Sequence, residues 1–104
     1  MVTINEKIAQ LNEVDRFILL LLGAKKSEPV PGPIHLQKEM FLLQNMFPEL
    51  ADETDFEPYF LGPHSEIVAD EAEQLKMSGL IKADPGSIRL TSEGKSAFET
   101  LLKK

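Results

Sequence analysis

His64-Ser65-Glu66 sets an imidazole, a hydroxyl and a carboxylate side by side, the residue types of a hydrolytic triad. Nucleophilic catalysis needs those groups to converge, whereas consecutive side chains diverge, and triads are assembled from distant positions. The residues favour Ser65 as a helix cap over Ser65 as a nucleophile. Two further pairs stand one helical turn apart, His35 with Glu39 and Glu66 with Asp70. Two ligands do not make a metal site, so surface charge is their expected role. The glycines occur singly, at turns, and form no phosphate-binding loop. The chain has no cysteine, which excludes disulfides, thiolate catalysis and cysteine zinc sites and agrees with a reducing cytoplasm. The expectation is a protein that is not an enzyme, with no catalytic residue, no metal and no cofactor.

At 104 residues the chain is long enough for one domain with one modest core. Its 42% apolar and 27% charged content fits a soluble globular domain spanning residues 1–104. The longest apolar run, Phe17 to Leu22, is far short of the ~20 residues of a membrane span. Glu13, Asp15 and Arg16 precede that run and Lys25-Lys26 follow it, the reverse of a signal peptide. A cytoplasmic setting away from membranes is expected. The net charge of −6 weakens nonspecific attraction to phosphate and favours a partner with basic groups.

The elements that position these residues follow from periodicity and caps. Thr3 and Glu6 fit a capping box, with Ile4, Ile8 and Leu11 on one helical face. Asn12 to Asp15 reads either as a second cap or as the middle of one long helix. Val14, Phe17, Ile18, Leu21 and Leu22 form a stripe, and Leu19 and Leu20 make the helix apolar nearly all round. Such a helix is buried on more than one side, so residues 1–25 are a candidate homodimerisation element. Pro29, Pro31 and Pro33 extend a loop from Lys25. The next helix runs to Phe47 with Leu36, Met40, Leu43 and Phe47 inward and Gln37, Lys38, Gln44 and Asn45 on the wetter side. Glu49 to Asp55 reads as an acidic connection, and Phe56 to Leu61 as a short extended segment interrupted by Pro58. Ser65 caps a helix to about Ser78, with Gly79 as its C′ residue. Leu80–Ala83 and Ser87–Leu90 flank the turn sequence Asp84-Pro85-Gly86. Thr91 or Ser92 caps a last helix carrying Ala97, Phe98, Leu101 and Leu102, with Lys103-Lys104 at its negative end. The order predicts an α+β fold, a mainly helical winged helix-turn-helix with a small β-hairpin wing.

Several stretches match known landmarks. Leu36-Gln37-Lys38-Glu39-Met40-Phe41, Tyr59-Phe60-Leu61-Gly62-Pro63-His64-Ser65, Leu75 and Gly79-Leu80-Ile81 resemble the LQK…F, Y-x-x-GP-x-S and L…GLI pattern of a group of prokaryotic winged-helix proteins related to the Panacea antitoxin domain. Leu90-Thr91-Ser92-Glu93-Gly94 resembles the strand-to-helix step of winged-helix regulators. The likeness covers roughly residues 14 to 102. It departs at Leu61, where an aromatic often stands, and lacks the longer C-terminal parts of some members. It implies a regulator-like or antitoxin-like binding domain with no chemistry of its own.

No Lys or Arg falls between Lys38 and Lys76, an interval rich in Asp and Glu. Its second half is the expected recognition helix. At about 100° per residue, Val68, Ala72 and Leu75 face the core while Glu66, Asp70, Glu73 and Met77 face outward. Base edges in a major groove are read mainly by Arg, Lys, Asn and Gln. Each carboxylate ~8 Å from a phosphate is repelled by about half a kcal/mol in water, before screening. These residues therefore suggest a docking surface for a basic protein partner, against the alternative of a plain solvated face. The exposed Met77 suits an adaptable interface. The alternative nucleic-acid contact is Lys76, Lys82, Arg89 and Lys95 around the hairpin, a thin basic signal set against ordinary surface lysines.

Overall fold

The computed structural model describes residues 3–24, 28–58 and 62–103. Among them are six helices and one hairpin: α1 (Ile4–Ala9), α2 (Glu13–Ala24), α3 (Pro33–Met46), α4 (Pro48–Thr54), α5 (Glu66–Met77), β1 (Ile81–Asp84), β2 (Ser87–Leu90) and α6 (Ser92–Leu102). The architecture is α+β, mainly helical and winged-helix-like, with the antiparallel β1–β2 pair as the wing between α5 and α6. None of the described helices is long and apolar enough to cross a membrane.

The first two helices are separate because Asn12 begins a new one. Its Oδ1 accepts the Asp15 N–H at 2.8 Å, and Asp15 Oδ2 accepts the Asn12 N–H at 3.1 Å. That reciprocal cap satisfies two amides that a helix start leaves open. Thr3 caps α1 in a related way, accepting the Glu6 N–H at 3.2 Å and donating its own hydroxyl to Glu6 Oε1.

Helix α2 is the centre of the core. Val14, Ile18, Leu19 and Leu22 are all buried, and the helix packs on α6, α5 and α4. Burial of both Ile18 and Leu19 within one chain accounts for the all-round apolarity that motivates a dimer, without requiring a second copy. Phe17 of α2 meets Phe47 with ring centroids 5.2 Å apart, and Phe41 meets Phe56 edge-on at 5.4 Å.

Several expectations need correction. The acidic connection at Glu49–Asp55 is mostly helix α4: Pro48 occupies its first turn, Glu49 sits at its positive end, and Leu50 is fully buried. The extended segment reduces, among the described residues, to a single bridge, with Glu57 N–H to His64 O at 2.8 Å and the reverse bond at 2.9 Å; positions 59–61 lie outside the described residues. Gln37, assigned to the wetter side of α3, is buried. Phe47, placed inward on the α3 stripe, is 37% exposed, and Leu102 of α6 is exposed.

The step from α5 to α6 is tightly bound. Gly79 N–H reaches Lys76 O at 3.1 Å and Leu80 N–H reaches Leu75 O at 3.0 Å, the paired bonds of a Schellman end, with Gly79 at φ +83°. Thr91 then donates its hydroxyl to Gly79 O at 2.6 Å while its Oγ1 accepts the Gly94 N–H at 3.0 Å. Lys7 of α1 closes the same corner, donating to Ser78 O at 2.6 Å and to Glu93 at 2.8 Å. A cation at the negative end of α5 is favourable.

Gly94 packs so closely that an added Cβ would sit 1.9 Å from the Leu80 carbonyl oxygen, a backbone atom that cannot swing away. Gly94→Ala is expected to cost about 1–3 kcal/mol or more in urea unfolding. Gly86→Ala, with nothing within 4 Å of its added carbon, is the control and is expected to change little.

Candidate functional site

Helix α5 is set in place from its N-terminus. Ser65 is fully buried; its Oγ accepts the Val68 N–H at 3.2 Å and donates to the Thr54 carbonyl at the end of α4. The Gln37 side chain grips the same residue twice, donating to Ser65 O at 3.0 Å and accepting Ser65 N–H at 2.9 Å. Three helices therefore meet at one serine. Its hydroxyl is enclosed and engaged in capping, so Ser65 offers no nucleophile to solvent. His64 Nε2 instead meets Glu66 Oε1 at 3.2 Å, out at the surface. Among the described residues no group of three or more His, Asp or Glu side chains is arranged to hold a metal ion.

From that anchor α5 presents three faces. Val68 and Leu75 point into the core, with Ala72 partly buried beside them. Glu66, Asp70, Glu73 and Met77 are all exposed, and Met77 is 75% open. The structure thus brings the four residues of the acidic face together as their spacing requires.

On one flank of that face lies an apolar groove of about 390 Å³. Ala69 and Ala72 of α5, Ile34 of α3, Pro63, and Ala83 and Ile88 of the hairpin line it. Glu73 forms its acidic edge and Lys76 lines it as well. Ile34 is 45% exposed at its mouth. The groove was not legible from periodicity, because it is built by residues on four separate segments. The alanines of α5 were the available signal, since they mark a helix face that approaches a neighbour without filling the space between.

On the other flank Asp15 of α2 lies against Glu71 of α5. Asp15 is only 6% exposed, and burial first, then the Glu71 carboxyl, push its pKa up to about 7. Its position in a cap is visible in the sequence; its partner across the helix pair is not.

The basic residues are less concentrated. Lys82 and Arg89 are register partners across the hairpin, both exposed, so two like charges stand directly opposite each other. Lys76 belongs to the groove, and Lys95 is on the open side of α6. No protein-family model, no curated protein and no solved structure matches the chain.

Replacing Gln37 by Ala would strip partners from two buried backbone groups of Ser65. An unmet buried group costs about 1–3 kcal/mol. Gln37→Ala is therefore expected to lower the unfolding free energy by about 2–4 kcal/mol, read from urea denaturation followed by circular dichroism.

Proposed function

We propose that the chain is a non-enzymatic interaction module in a regulatory setting, and that it meets a basic protein partner through the outward face of α5. The observation that carries this reading is the joint exposure of Glu66, Asp70, Glu73 and Met77 beside the apolar groove. Carboxylates recruit and orient Lys or Arg on the partner, while Met77 and the groove accept apolar side chains between them. The partner segment this combination suits is one whose apolar residues are flanked by positive charge. The same face is a poor fit to a major groove, because it carries no Lys or Arg to meet phosphate and base edges. The sequence landmarks that resemble those of Panacea-related winged-helix proteins support a binding role without chemistry.

The cross-strand pair Lys82 and Arg89 favours a second reading, a transcriptional regulator contacting DNA through its wing. That reading requires sequence-dependent binding that weakens with salt and with both residues replaced by Ala.

The discriminating experiment is affinity capture from lysate with the wild-type chain and with Glu66→Lys, Asp70→Lys and Glu73→Lys combined, after circular dichroism shows both folded. The interaction reading predicts a basic protein retained by the wild type and lost from the triple variant. Equal capture by both proteins contradicts it.

A further inference from the structure

Asp15 has two carboxyl oxygens in very different situations. Oδ2 is held by the Asn12 N–H at 3.1 Å as half of the reciprocal cap, which fixes the side chain in place. Oδ1 is buried with no hydrogen-bond donor among the described residues. Glu71 of α5 lines the same polar pocket and brings its carboxyl within hydrogen-bonding reach of the Asp15 side chain. Two carboxylates in that relation have four acceptor oxygens and no proton between them; one must carry a hydrogen for the contact to be attractive. The surrounding groups do not supply a substitute. Lys7 of α1 lines the same polar pocket of about 260 Å³, but its ammonium is taken by Ser78 O and by Glu93 of α6. Arg16, on Asp15's own helix, favours the charged form but is paired with Glu13 at 2.9 Å. Gln10 and Gln74 complete the polar lining.

We propose that the buried Asp15 carboxyl holds a proton that it donates to Glu71 across the α2–α5 contact, and that this proton latches the two helices together. With the proton present, Asp15 donates to the Glu71 carboxylate and its buried oxygen is satisfied. When the proton leaves to solvent, two like charges face each other inside a helix pair that otherwise packs through Val14, Ile18, Val68 and Leu75. The strain falls on α5, the helix that also carries the acidic face and one wall of the groove. The latch makes the seating of that helix responsive to protons near neutral pH, whether or not the outer face binds the partner proposed above.

The direction follows from linkage. The folded-state pKa of Asp15 is raised from the ordinary 3.8 to about 7. Folding therefore takes up a proton in that interval. The stabilising contribution is fully present below about 4 and is lost as pH rises through about 7. Most surface carboxylates paired with cations act in the opposite sense, so the comparison must be made against variants rather than in the wild type alone.

Carbon-13 NMR of the side-chain carboxyls, recorded from pH 4 to pH 9, reads the proton directly. A step near neutrality in the Asp15 carboxyl signal is expected, well above the usual carboxylate range of about 4. Hydrogen exchange of the α5 amides, corrected for intrinsic chemistry, should lose protection by roughly tenfold per pH unit across the window in the wild type. Asp15→Asn keeps an acceptor for Asn12 and places an amide donor toward Glu71, so it should remain folded and lose that dependence. Glu71→Gln does the same from the other side and serves if the first variant folds poorly. An Asp15 carboxyl titrating in the ordinary range, or an unchanged pH dependence of α5 exchange in both variants, would overturn the latch.

Discussion

The side-chain amide of Gln37 bonds both the N–H and the C=O of Ser65, and the placement of α5 depends on that pair of hydrogen bonds. Ser65 is the only residue between the Glu57–His64 bridge and the first turn of α5, so fixing its backbone fixes where the helix begins. Its hydroxyl then ties the start of α5 to the end of α4 through Thr54. Apolar packing brings α3, α4 and α5 together, but packing is not directional. The amide supplies the direction, because each of its two bonds has a strict geometry. Every surface of interest on α5 inherits its position from this node.

Helix α5 carries acids on two sides, and the environment gives them different roles. Glu66, Asp70 and Glu73 stand in water, where a charge is cheap and open to another molecule, Glu66 meeting His64 at the surface. Glu71, one residue beyond Asp70, turns toward a buried carboxyl on α2. A shift of about 100° around the helix changes a solvated charge into half of a proton-sharing pair. The fold therefore does not treat its acidity as a uniform coat. It exposes one set for recognition in the proposed function and sets the half-buried Glu71 against the buried Asp15, where charge works against the packing.

Much of this was legible in the residues, and what was missed has a common cause. The caps at Thr3, Ser65 and Thr91 and the stop at Gly79 were readable because capping is local chemistry between neighbours in sequence. The hairpin was readable from Asp84-Pro85-Gly86, and the outward acidic face from helical periodicity. Helix α4 was hidden because a short, acidic, proline-led stretch with one buried leucine has the composition of a loop. Gln37 was placed outside because periodicity sorts polar residues away from the core, and a buried amide is justified only by a backbone partner 28 positions away. The Asp15–Glu71 contact and the apolar groove were out of reach for the same reason: both are made between elements that only the tertiary fold brings together.

In the proposed function α5 faces a basic protein segment and not nucleic acid. The most direct test is amide chemical-shift mapping of the labelled chain, titrated separately with a synthetic helical peptide of alternating leucine and lysine character and with a mixed-sequence DNA duplex. The peptide is expected to move the signals of Glu66, Asp70, Glu73 and Met77 together with those of Ala69 and Ala72, and the duplex to leave them in place. Shifts on α5 caused by the duplex and not by the peptide would contradict that function.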